Sequence, residues 1–189
     1  ADWVIAHLFG RSPGVSIKEF AQVDFPRDRM ISLVWGSSEN DVNVAGWEEA
    51  EGYYGLQFAG VGADYPVIKE IVDMYAAEGK PQPEAMKVSV YYNRGVLIAA
   101  LHARAIQLAL EKNGYPINGA QVKEAMESIK DFDLGGFLPP LNLSAADHEG
   151  GGWVRIYQVK GGKWVPVTDW FHGYRELVQK HVAEAKSEG

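Results

Sequence analysis

The sequence predicts an α/β fold, a parallel sheet flanked by helices with a C-terminal β-hairpin, on three observations. Residues 2–35 place an apolar run, an amphipathic stretch and a second apolar run in succession, which is the pattern of a βαβ unit. Residues 153–170 hold two strand patterns, WVRIYQV and KWVPVTDW, joined by Gly161 and Gly162, and paired glycines accept the positive φ of a hairpin turn. Residues 64–136 are rich in helix patterns and poor in strand patterns, so those helices need a sheet whose strands come from elsewhere.

In chain order, residues 2–9 (DWVIAHLF) are almost continuously apolar and predict a strand covered on both faces, with His7 a core histidine or a ligand contact. Ile17, Phe20 and Ala21 recur at helical spacing, so residues 14–24 predict an amphipathic helix. Residues 30–35 (MISLVW) predict the second strand, and GSSENDVNVAG after it predicts a polar loop at that strand's carboxyl end. Residues 53–58 predict a third strand. Asp64 is placed to cap a helix with Pro66 in its first turn, and Gly79 and Pro81 stop it. A long helix from about Tyr91 to Lys112 has a polar stripe of only Arg104, Gln107 and Glu111, which predicts packing against a sheet. Asn118 and Gln121 form a capping-box pattern, and residues 173–185 predict a last helix. Pro139 and Pro140 remove two donors and fix φ, so neither helix nor central strand passes through 137–142 and the chain crosses open ground there. With the glycine-rich 60–63, this divides the chain into 1–62, 63–138 and 139–189.

Composition narrows the function. A net charge of −7 and a pI near 5.2, with no dense Lys/Arg run, argue against a nucleic-acid surface and favour small molecules or proteins as partners. No apolar run is long enough to span a membrane. The absence of cysteine excludes disulfides and thiolate metal sites. The chain opens directly in a strand pattern without a Met, which predicts that it is a piece of a longer one.

Two groups of residues attract chemical interest. Ser37, Ser38 and Glu39 follow the second strand at the edge where open α/β sheets bind ligands, although a solvated turn has the same composition. Glu39 there would pair with a ligand ammonium, a charge-assisted contact of about 1.5–3 kcal/mol. Phe9, at the equivalent end of the first strand, lines either a pocket or the core, and Tyr91 and Tyr92 at a helix entry either stack on a ligand or pack on neighbours. The cluster Ser144, Asp147, His148, Glu149 has the residue types of a hydrolase, but near-adjacent loop residues rarely form a nucleophile–base pair and no elbow motif surrounds Ser144. Two potential ligands are also too few for a metal. The glycines at 150–152 are followed by no Lys-Ser/Thr and no helix, so they are not a phosphate loop, and no cofactor is expected.

The order ADWVIAHLFGRSPG, SLVWGSSENDV, EGYYGLQFAGVGADYPV, VSVYYNRGV and GFLPPLNLSAADHEGGGWVRIYQVKGGKWVPVTDW resembles the branched-chain amino acid family of ABC-transporter solute-binding proteins, over the C-terminal half only. The resemblance implies a type I periplasmic-binding-protein fold, two Rossmann-like lobes joined by three crossings, with ligand gripped as the hinge closes. It implies that 1–62 and 139–189 belong to the second lobe and 63–138 to the first, with Pro139 and the residues to Asn142 as the third crossing. Phe9 matches a position where branched-chain binders carry a Tyr, and Glu39 is the nearest match to the carboxylate that meets the ligand ammonium. The implied function is binding a small amino acid or a related organic or aromatic acid for delivery to ABC permease subunits, outside the cytoplasm, as a periplasmic protein or cell-surface lipoprotein. The N-terminal half of the same protein would supply the groups for the ligand carboxylate. A ligand-sensing domain of a receptor shares the fold, and a hydrolase using Ser144, Asp147 and His148 is the alternative from another class.

Overall fold

The computed structural model describes residues 1–187, so the last two positions of the 139–189 segment lie outside the described residues. Five strands form one sheet in sequence order, β1 (Val4–Ala6), β2 (Met30–Ser32), β3 (Tyr54–Gln57), β4 (Arg155–Lys160) and β5 (Lys163–Pro166). The first three run parallel, and β4 and β5 form an antiparallel hairpin added to β3. Between β1 and β2 lies α1 (Ser12–Gln22), the expected βαβ unit. Gly161 and Gly162 at the hairpin tip take φ of 57° and 75°, the conformation for which the turn requires glycine.

Strand alternation divides the sheet into two unlike faces. Met30, Ser32, Tyr53, Gly55, Tyr157, Val159 and Trp164 are buried on one face, where Ile17 of α1 and Val42 and Ala45 of α2 (Glu39–Ala45) close the core. Ile5, Ile31, Tyr54, Leu56 and Ile156 occupy the alternate positions, and Ile5 is 73% exposed. The expectation of a first strand covered on both faces is therefore corrected: β1 is an edge strand with one open face among the described residues. His7, predicted as a core or ligand residue, lies beyond its end and is exposed. The polar loop predicted after β2 is also corrected, because Ser38 and Asp41 form a reciprocal capping box that turns residues 39–45 into α2.

The middle segment is all helical: α3 (Pro66–Ala77), α4 (Glu84–Val88), α5 (Val90–Asn113) and α6 (Gly119–Glu127), with α7 (Arg175–Ser187) at the end of the chain. Pro66 does sit in the first turn of α3, but the capping position is Tyr65, with no side-chain cap, and not Asp64. Asn118 and Gln121 make the expected capping box of α6. The long α5 packs mainly on α4 and α6 and leaves Ile98, Ile106 and Leu110 exposed. The expected sheet over that stripe is not seen among the described residues. The segment after β3 and the segment before β4 run side by side where Gly60 N–H donates to Phe137 O at 2.8 Å, and Phe132 and Leu141 bridge in both directions at 3.0 Å. Phe137 is fully buried, edge-on to Tyr65 at 5.0 Å.

Candidate functional site

The carboxyl ends of β1, β2 and β3 each deliver an aromatic residue to one edge of the sheet, namely Phe9, Trp35 and Phe58. Phe9 is 75% and Trp35 is 53% exposed. The predicted residues divide sharply at this edge. Ser37 and Ser38 are fully buried. Ser37 Oγ donates to Leu33 O at 2.8 Å, and Ser38 Oγ donates to Asp41 Oδ2 at 2.7 Å, so both hydroxyls are committed to holding the turn. Glu39 opens α2, where its charge also suits the helix dipole, and its Oε2 accepts Val90 N–H at 2.7 Å from the first turn of α5. Phe9 stays exposed at the edge, Glu39 holds the Val90 N–H there, and the serines shape it.

Two residues that the sequence reading passed over organise this edge. Gln57, buried at the end of β3, donates its amide to Ser37 O and accepts at Oε1 from Arg94 Nη2 at 2.7 Å. Arg94 Nη2 also donates to Val34 O at 2.9 Å. Asn93 beside it donates to Gly60 O at 2.7 Å and Gly62 O at 2.8 Å. The second turn of α5 is thereby tied by side chains to the ends of β2 and β3 and to the segment that follows β3. The signal was present: Arg94 falls with Val90, Leu97 and Leu101 on the helix stripe that should be apolar, and a charged residue there demands a buried acceptor.

Burial dominates the electrostatics. It raises the pKa of Glu39 above the usual carboxylate value, opposed by the Val90 N–H and by Arg94. It also raises that of Asp41, opposed by the Ser38 hydroxyl and N–H. Burial lowers that of Arg94, opposed by Tyr91, Glu39 and Asp41. A carboxyl with a raised folded-state pKa binds more protons folded than unfolded, so its contribution to stability falls as pH rises above its unfolded value. Glu39→Gln, which keeps an acceptor for Val90 N–H, is therefore expected to gain in melting temperature relative to wild type from pH 4 to pH 7. A difference that stays flat or shrinks over that range would remove the burial argument.

The second predicted cluster does not assemble a catalytic group. Ser144 and Asp147 close a tight turn on each other through backbone bonds of 2.9 and 3.1 Å, and Asp147 pairs with Arg175. His148 Nε2 contacts Glu127 Oε1 at 2.9 Å and not Ser144. Among the described residues no set of three acidic or histidine side chains converges to hold a metal.

Three parallel strands with an antiparallel hairpin on one edge, followed in sequence after β3 by a helix-rich middle segment, define an architecture as well as an edge. The sequence profile of the periplasmic binding proteins matches residues 1–163. The chain belongs to the periplasmic binding protein family. Within that family its fold is type I, similar to a solved structure described as an ABC transporter permease from the Pseudomonas fluorescens group, at 33% identity and a TM-score of 0.87. The match covers 99% of this chain and 47% of that one. A branched-chain amino acid ABC transporter protein from Thermus thermophilus with bound valine is similar in fold, at 22% identity and a TM-score of 0.78 over 96% of this chain and 48% of its own. So is an ABC-transporter solute-binding protein from R. palustris in complex with benzoate, at 17% identity and 0.64, over 92% and 45%. No curated protein matches. This periplasmic binding protein chain thus spans about half the length of the solved structures it resembles.

Proposed function

We propose that this chain is the C-terminal half of the extracytoplasmic solute-binding component of an ABC transporter, which takes a small amino acid or a related organic or aromatic acid between two lobes and hands it to membrane permease subunits. The observation that carries the reading is the pair of unlike surfaces left open. Ile5 on the outer sheet face and Ile98, Ile106 and Leu110 on α5 are exposed apolar side chains, and Tyr54 and Leu56 on the same sheet face are only half-buried. Exposed apolar areas of that kind mark interaction surfaces, which supports a contact with the N-terminal half of the same protein. On this reading 1–62 and 139–189 form one lobe, and 63–138 returns to the other. Membership of the family supports an extracytoplasmic place, as a periplasmic protein or a lipid-anchored one.

Mechanistically, Gly60–Phe137 and the prolines that follow form the hinge, and Phe9 and Glu39 line the lobe edge that meets the ligand. Only the closed arrangement makes both sets of contacts, so ligand shifts the population toward closure by its differential affinity. Binding and release leave the solute unchanged, and nothing in the Ser144 cluster offers a reaction. The test is titration calorimetry of the full-length protein against valine, leucine, phenylalanine and benzoate. At least one is expected to bind with a Kd in the micromolar range or below, with a compaction visible in small-angle scattering. Heat from none of the four would overturn the reading.

A further inference from the structure

Arg94 is only 4% exposed, and Val34 O and Gln57 Oε1 are both served by its Nη2 alone. Its Nε and Nη1 are buried and have no hydrogen-bond partner among the described residues. A guanidinium keeps its charge in a protein, so N–H groups left without an acceptor in a dry site are a standing demand for an anion. Around them stand three rings, with centroids 4.9 Å from the guanidinium carbon for Phe58 and Tyr91 and 5.9 Å for Trp35. Two of these rings reach solvent, Trp35 at 53% and Tyr91 at 36% exposure. Val34 and Phe58, which contact Arg94, also line an open pocket of about 490 Å³ walled by Leu97, Leu138 and Trp153, with Glu149 the acidic residue on its lining.

The groups able to receive an ammonium at the same edge each already accept or make at least one internal hydrogen bond. Glu39 takes Val90 N–H, Asp41 takes the Ser38 hydroxyl and N–H, and Ser37 Oγ is turned to Leu33 O. Unmet donors, engaged acceptors and aromatic walls together select for one kind of solute. Resting on the solute-binding reading above, we infer that Arg94 receives the carboxylate of an aromatic or otherwise apolar acid without an ammonium group, whose body lies against Trp35, Phe58 and Tyr91. Arg94 is then a specificity-determining residue as well as a brace of the lobe edge.

The test uses calorimetry on the full-length protein with benzoate, its neutral isostere benzamide, phenylalanine and valine. Wild type is expected to bind benzoate about 10- to 100-fold more tightly than benzamide or either amino acid, the range of one or two charge-assisted hydrogen bonds. In Arg94→Gln, shown by circular dichroism to be folded, the benzoate preference over benzamide should collapse to within about threefold while benzamide still binds. An equal loss of both in the folded variant would make Arg94 a structural brace only and overturn the inference. Binding of valine or phenylalanine in preference to benzoate would also overturn it, while leaving the solute-binding reading intact. Binding of none of them brings down that reading as well. Should Arg94→Gln fail to fold, the wild-type ranking of benzoate, benzamide and the amino acids decides by itself.

Discussion

Phe137→Ala is expected to destabilise the protein by about 3–5 kcal/mol, the cost of removing a fully buried aromatic ring together with the cavity it leaves. Phe137 has no exposed surface, meets Tyr65 edge-on at 5.0 Å, and packs with Ala59, Ile68, Leu97, Leu138 and Leu141. Its carbonyl accepts Gly60 N–H at 2.8 Å, so the ring sits at the point where the segments around 60 and 137 touch. The surroundings have little freedom to collapse into the gap, because prolines at 139 and 140 fix the chain immediately beyond it. Urea unfolding of wild type and variant, followed by tryptophan fluorescence and circular dichroism together, measures the loss. A change below about 1 kcal/mol would show that these two segments do not share a cooperative core with the helices.

Gly55→Val should cost about 3 kcal/mol, at the upper end for overpacking a close-packed interior. Gly55 lies between Ser32 of β2 and Tyr157 of β4, in the middle of the sheet. A Cβ there would stand 2.6 Å from both Cβ and Oγ of Ser37 and 3.0 Å from the Trp164 ring. Neither neighbour has room to withdraw, since Ser37 is held by its bonds to Leu33 and from Gln57, and Trp164 is buried in the main core. The same clash predicts coupling: Gly55→Ala combined with Ser37→Gly should be more stable than the sum of the two single losses by about 1 kcal/mol. Strict additivity in that cycle would mean that the contact between the turn and β3 is not what makes a side chain intolerable at 55.

The element plan was legible because each element is written in a local code. The βαβ start, the glycine-tipped hairpin, the capping box of α6 and the strand-free middle all follow from spacing and from the φ demands of Gly and Pro, and each appears as expected. The errors fell where a local code has two readings. GSSENDVNVAG has the composition of a loop and also of a capped helix, and the reciprocal Ser38–Asp41 bonds decided for the helix. Residues 2–9 have the apolarity of a doubly covered strand, yet periodicity says nothing about what lies across a face, and here one face is open among the described residues.

The site was legible only in part, for a related reason. That the edge after β2 matters follows from topology, which the sequence implies. Which of its polar groups remain unpaired depends on partners 20, 37 and 51 positions away in the chain, the separations of Ser37 from Gln57, of Gln57 from Arg94 and of Glu39 from Val90. The sequence by itself thus determined the fold class, the family likeness and the order of elements. Only the tertiary structure decided that Ser37 and Ser38 are internally satisfied and that Arg94 keeps N–H groups to spare, because hydrogen-bond saturation belongs to three-dimensional neighbours and not to residue types.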